Sequence, residues 1–157
     1  MAVEYRIAEL TDVPRLIGLP RKGEAGGDHR MLEYLRGEHH PQQALAPRRM
    51  WFASEGETPI GYIAGHLTRR FGCDGELQWI YVVAERRRSG VASRLLGLLA
   101  DWFIEQNARR ICVDVGDDEA RHFYRHHGAT ELNNHWMVWE DFGIAKATTA
   151  TDVPARS

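Results

Sequence analysis

One corner of the chain combines residue types and spacing that point to chemistry. Residues Arg86 to Leu96 read RRRSGVASRLL, directly after the strand-forming run LQWIYVV, Leu77 to Val83. A strand that ends in a glycine turn and opens into a helix leaves the first helical N–H groups unbonded and turns the positive end of the helix dipole outward. Arg88, Ser89, Gly90, Val91, Ala92 and Ser93 would supply those N–H groups. Gly90 and Ala92 are small enough to let a pyrophosphate reach the backbone, and Ser93 adds a hydroxyl. Arg86, Arg87 and Arg88 add long-range attraction for phosphates. No lysine follows in the GxxxxGK[ST] sense and no GxGxxG is present, so an NTP loop and a dinucleotide fingerprint both fit poorly. The plainer alternative is a solvated charge run beside a tight turn.

Other candidate groups are less specific. Glu76 is a polar residue near the start of an otherwise apolar strand, which suits either a carboxylate facing a cleft or a solvated strand end. Asp74 is a reserve carboxylate. Eight histidines include the pairs His39-His40 and His126-His127. Adjacent residues on a helix diverge by about 100°, and no H-E-x-x-H pattern completes a ligand set, so no metal is expected. Cys73 and Cys112 show no CxxC or Cys/His spacing and read as reduced thiols of a cytoplasmic protein.

The elements that must position these groups follow from periodicity and punctuation. Tyr5 to Leu10 reads as a strand, and Asp12 to Gly18 as a helix capped at Thr11 or Asp12. Lys22 to Asp28 is a loop, His29 to Glu38 a second helix, and His39 to Arg49, with its prolines, a loop. Met50 to Ser54 and Ile60 to Arg69 form a hairpin, and Glu76 to Val83 a buried strand whose alternation puts Gln78, Ile80 and Val82 on the face of Glu76. Gly90 to Gln106 is a helix with a wide apolar stripe. Arg110 to Val115 is a strand, and Asp117 or Asp118 caps a helix through His127, with Gly128 after it. A terminal hairpin turns at Asn133-Asn134. The order is βααβββαβαββ.

In this setting the pattern [QR]-x-x-G-x-[GA], written here Arg87-Arg88-Ser89-Gly90-Val91-Ala92 after Ile80 to Val82, resembles the acyl-CoA-binding motif of the GCN5-related N-acetyltransferases (GNAT). YRIAELTD (Tyr5 to Asp12) is similar to the family's opening, and DDEARHFYRHHGA (Asp117 to Ala129) to its late motif N-x-x-A-x-x-F-Y-x-x-x-G-F. Asp117 departs from an asparagine and Ala129 from a phenylalanine.

The resemblance implies an α+β (mixed α/β) fold with a central, mostly antiparallel twisted sheet of about six to seven strands and helices on both faces. It implies acetyl-CoA as cosubstrate and direct transfer to a primary amine in a ternary complex. By the same resemblance Glu76 is the general base, the amide of Ile80 meets the developing oxyanion, and Val82 and Asp117 lie along the cofactor arm. Tyr124 protonates the leaving thiolate. A non-catalytic acyl-CoA-binding or sensing module is the alternative reading.

Whole-chain properties agree. At 157 residues, 43% hydrophobic, the chain suits a single domain, expected over residues 1–142, with 143–157 as a tail. A formal charge of −2 with mixed signs excludes a basic nucleic-acid binder, and no targeting or membrane segment is visible. Asp114, Asp117, Asp118 and Glu119 hint at a cationic small-molecule or peptide amine as acceptor, and a homodimer is possible by family analogy.

Overall fold

The computed structural model describes residues 2–16, 19, 27–38 and 44–145. Seven strands form one sheet in the order β1-β2-β3-β4-β5-β7-β6. In chain order the elements are β1 (Val3–Ile7), α1 (Val13–Leu16), α2 (Gly27–Arg36), β2 (Ala44–Glu55), β3 (Thr58–Thr68), β4 (Gly75–Val82), α3 (Val91–Glu105), β5 (Ile111–Asp114), α4 (Asp118–His126), β6 (Thr130–Glu131) and β7 (Trp136–Trp139). Every neighbouring pair is antiparallel except β4 and β5. That is the mixed, mostly antiparallel sheet and the element order expected from the sequence.

Alternation along the strands divides the core into two layers. Trp51, Ile63, Leu77 and Val82 turn to one face, where they pack with Leu95, Leu99 and Phe103 of α3 and Tyr124 of α4. Met50, Phe52, Tyr62 and Trp79 turn to the other, beneath Leu16 of α1 and Met31 and Tyr34 of α2. Each large side chain buried this way contributes about 1.5–3 kcal/mol. The α3 layer sits so close to the sheet that a Cβ on Gly75 would come 2.4 Å from the Phe103 ring, and glycine alone fits there.

Several boundaries differ from the sequence reading. β1 begins at Val3. Asp12 is not the cap of the first helix: a 3₁₀ turn spans Leu10–Asp12, and Glu9 caps it through a reciprocal box in which the Glu9 N–H donates to Asp12 Oδ2 at 2.9 Å. Asp12 also accepts from Arg15 at 2.9 Å and from Arg6 at 3.3 Å, so its carboxylate serves three donors. The continuation to Gly18 lies outside the described residues, as do His39 and His40. β2 starts at Ala44, inside the stretch read as loop, because a register shift between Leu45 and Arg48 lets the strand pass Pro47 and stay paired with β3. At the other end, Ala145 is fully buried against the core, so the packed chain continues past Phe142.

Candidate active site

The site is set by a parting of strands. β4 and β5 pair only through Gly75↔Ile111, Glu76↔Cys112 and Leu77↔Val113. β4 then runs on to Val82, whereas β5 ends at Asp114 and pairs with β7 on its other side. A β-bulge marks the parting: Leu77 pairs with Gly65 but Trp79 with Ala64, leaving Gln78 as the extra residue. The bulge also reverses the faces. Leu77 lies in the α3 layer and Trp79 in the α2 layer. Ile80 and Val82 therefore pack on the α3 side and do not share the face of Glu76; Trp79 and Tyr81 do. Period-2 reading missed this because one inserted residue inverts everything after it.

The backbone of the freed segment faces the gap. The Val83 N–H donates to the Ile60 carbonyl at 2.9 Å, beside the Gly61↔Val82 pair. In an antiparallel ladder that pattern marks Gly61↔Val82 as a pair whose own N–H and C=O groups point outward, and Ile80, two residues back, points the same way. The amides of Ile80 and Val82 thus line the open side of β4. Arg87 Nε donates to the Val82 carbonyl at 3.1 Å, and its guanidinium lies 6.0 Å from the Tyr81 ring centroid, closing the end of the gap toward α4.

The gap leads to the start of α3. Gly90 caps the helix with φ 91°, a left-handed conformation that favours glycine, and Arg88 is also left-handed at φ 61°. The first helical bond runs from the Arg94 N–H to the Gly90 carbonyl at 3.0 Å, so the N–H groups of Val91, Ala92 and Ser93 have no acceptor within the helix. Among the described residues, no side chain caps them.

The three arginines separate by contact. Arg86 Nε donates to Glu55 Oε1 at 2.6 Å, tying the loop to the β2–β3 hairpin. Arg87 spans the gap, and Arg88 is exposed. The two serine hydroxyls of this stretch, including the Ser93 hydroxyl expected at the loop, are engaged elsewhere. Ser89 Oγ donates to the Arg86 carbonyl, and Ser93 turns inward, its Oγ 3.3 Å from His127 Nε2. Ser93 therefore offers the loop its N–H and not its hydroxyl. Asp117 is the cap of α4, accepting from the Ala120 N–H at 2.8 Å.

Tyr124 and Glu76 flank β4 from opposite faces. Ala120, Phe123, Tyr124 and His127 form one side of α4, as their spacing predicts, and Tyr124 is buried with its ring 5.7 Å from that of Trp139. Burial, then the charges of Asp117 and Asp114, push its phenol pKa up, so it keeps its proton. Glu76 is not on a solvated strand end: it is 4% exposed. Arg70 Nε lies 3.2 Å from Glu76 Oε1 and His66 Nε2 3.6 Å from the same oxygen, while the His66 Nδ1 is 2.9 Å from Tyr34 Oη. Arg70, His66 and Tyr34 escaped the sequence reading because nothing in their local spacing joins residues on α2, β3 and the turn that follows it. Asp74, the reserve carboxylate, is spent on structure: its Oδ2 accepts from the N–H groups of Arg109 and Arg110, each at 3.0 Å. Among the described residues, no three His, Cys, Asp or Glu side chains converge as a metal site would need.

The sequence pattern described as the acetyltransferase (GNAT) family matches residues 20–129. The chain belongs to that family. The solved structures agree on the fold of this GNAT protein. It is similar to a GNAT-family acetyltransferase from Staphylococcus aureus Mu50, with 17% identity, a TM-score of 0.71 and coverage of 88% of this chain and 98% of that one. It is also similar to the PaiA N-acetyltransferase from Thermoplasma acidophilum in complex with coenzyme A, with 14% identity, a TM-score of 0.68 and coverage of 90% and 99%. A third is an aminoglycoside acetyltransferase, meta-AAC0020, from an uncultured soil metagenomic sample in complex with sisomicin, with 14% identity, a TM-score of 0.63 and coverage of 85% and 93%. No curated protein matches the sequence. No helix among the described residues is long and apolar enough to cross a membrane.

Proposed function

We propose that this GNAT protein transfers an acetyl group from acetyl-CoA to a primary amine by direct attack in a ternary complex. The observation that carries the reading is the pair of backbone donor sets, the Ile80 and Val82 amides facing the β4–β5 gap and the Val91, Ala92 and Ser93 amides at the start of α3. An acyl-CoA has acceptors in the same sequence: a thioester carbonyl, a pantetheine amide chain and a pyrophosphate. The helix start with its left-handed Gly90 suits the pyrophosphate, and the extended edge suits the arm.

Each residue then has a defined task. The acceptor ammonium must lose a proton before its nitrogen attacks the thioester carbon, and the Glu76 carboxylate supports that role as the base. As the C–N bond forms, charge on the carbonyl oxygen meets the Ile80 N–H. The C–S bond then breaks, the sulfur leaves with the electron pair, and the second proton that the nitrogen sheds as it becomes an amide passes to the leaving thiolate. Tyr124, with its pKa raised, is a weaker acid than a thiol, so it serves the sulfur better as a hydrogen-bond donor than by handing over its proton. Holding amine and thioester together supplies much of the rate.

Small amines and amine-bearing peptides are the acceptor class, with no nucleic acid or membrane as partner, and the unpaired thiols of Cys73 and Cys112 support a reducing cytoplasmic setting. One observation favours a second reading, an acyl-CoA-binding module without turnover: Arg70 pairs with Glu76 as a purely structural ion pair would. Coenzyme A release from acetyl-CoA with a panel of polyamines, aminoglycosides and peptide amines decides between them. Turnover lost in Glu76→Gln supports transfer; tight acetyl-CoA binding with no turnover on any amine supports the module.

A further inference from the structure

Beneath α2 lies a chain of buried polar groups that the transfer reading leaves unused. Tyr34 and His66 are each 0% exposed, yet both are polar, and a buried polar group is costly unless it is bonded. Tyr34 Oη and His66 Nδ1, 2.9 Å apart, satisfy each other. Which atom donates is set by the groups around the ring. Burial pushes the Tyr34 phenol pKa up, so the phenol keeps its proton, and it can donate to a bare Nδ1 or accept from an Nδ1–H. With the phenol donating, the ring hydrogen sits on His66 Nε2, which has no hydrogen-bond partner among the described residues and turns its positive edge to Glu76 Oε1 at 3.6 Å, beyond hydrogen-bond length. The opposite tautomer would set a nitrogen lone pair against a carboxylate. Arg70 Nε approaches the same Oε1 at 3.2 Å. Among the described residues, none bonds to Oε2.

We propose that His66 is a positioning residue: held by Tyr34, it pins Oε1 of Glu76 so that Oε2 is the oxygen presented to the acceptor amine. The inference rests on the reading of Glu76 as the base. His66 gives direction where Arg70 gives charge, because the Tyr34 hydroxyl fixes the ring and Arg48, 4.6 Å from the Tyr34 ring centroid and bonded to the Tyr34 carbonyl, fixes Tyr34 in turn. The titratable and charged groups that face Glu76 are Tyr34 from α2, His66 from β3, Arg70 from the following turn, and Cys112 and Asp114 from β5.

Two measurements on the full chain test this. The ring ¹⁵N shifts of His66 should report the Nε2-protonated tautomer. In His66→Leu, kcat on a turned-over amine should fall about tenfold while KM for acetyl-CoA stays unchanged, and His66→Gln, which keeps an N–H in that place, should lose less. An Nδ1-protonated ring in the wild type, or a His66→Leu kcat equal to that of the wild type, overturns the inference. If His66→Leu does not fold, the wild-type tautomer and a His66→Gln kcat below that of the wild type decide. Glu76→Gln assayed on the same amines keeps the two readings apart. An active Glu76→Gln enzyme removes the base and the amine-presenting role together, whereas an inactive one beside a fully active His66→Leu removes His66 alone.

Discussion

The two ends of β4 solve opposite problems. At its start, Glu76 is enclosed: β5 pairs with it on one side, β3 on the other, and Arg70 and His66 meet its carboxylate. At its end, Ile80 and Val82 have β3 on one side and the gap on the other, so their N–H groups are left for something else to satisfy, while Arg87 takes the Val82 carbonyl. The closed end fixes a side chain; the open end offers a main chain. One inserted residue, Gln78, separates the two regimes. Specificity for a carbonyl or amide can come from main-chain donors that every substitution except proline leaves in place, whereas proton transfer needs a titratable side chain held in place.

That contrast is broken most severely at the closed end. Glu76→Gln keeps the shape and removes the proposed base, and turnover should fall by about 10²–10⁴-fold with little change in acetyl-CoA affinity. Initial rates at saturating acetyl-CoA, with affinity from calorimetry, check both halves. Equal losses in rate and affinity would mean that Glu76 supports the fold of the gap instead.

Next is the open end. Gly90→Val places a β-branched side chain at φ 91°, where an L-residue costs roughly 1–2 kcal/mol, and coenzyme A binding should weaken by about tenfold or more. Arg86→Ala removes a contact to Glu55, not to the gap, and should change binding by less than about threefold. Isothermal titration of the two variants gives the ranking; the reverse order would make side-chain charge, not the helix start, the source of phosphate affinity.

What the sequence revealed follows the same division. Main-chain features announce themselves locally: Gly90 in its strand-to-helix corner, Gly128 after α4 with φ 99°, and the i, i+3, i+4 face that turns Tyr124 inward were all visible. The features that stayed hidden are non-local. No periodicity reveals that Gln78 is bulged, because the shift exists only relative to Gly65 and Ala64 on β3. Likewise Tyr34, His66 and Arg70 converge on Glu76 only once α2 lies over the sheet. The prolines before Met50 argued for a loop, yet pairing with β3 carried the strand back to Ala44.

Tyr124→Phe should have a smaller effect, a loss of about three- to tenfold in turnover, since a thiolate leaves readily and the phenol only steadies it. Rates with acetyl-CoA and with an activated thioester of lower thiol pKa sharpen the point. The gap between wild type and variant should narrow with the better leaving group, and a constant gap would assign Tyr124 to packing.

The smallest effect is expected at Asp114, where β5 ends beside the parting. Its carboxyl pKa is raised, first by burial and then by the charge of Glu76, with His135 and Arg70 opposing. A carboxyl whose folded pKa lies above its unfolded value binds protons more readily in the native state, so it weakens folding once pH exceeds that folded value and has no effect below the unfolded one. Asp114→Asn should therefore raise Tm slightly at pH 7 and leave it unchanged near pH 3, as read by thermal melts at both values. Because Asp114 is exposed, solvent screening keeps the gain small. Combining Asp114→Asn with Glu76→Gln isolates the link across the strands. If the stabilisation at pH 7 is the same in both backgrounds, the Glu76 charge is not felt at Asp114, and the closed end of β4 is electrostatically separate from the gap.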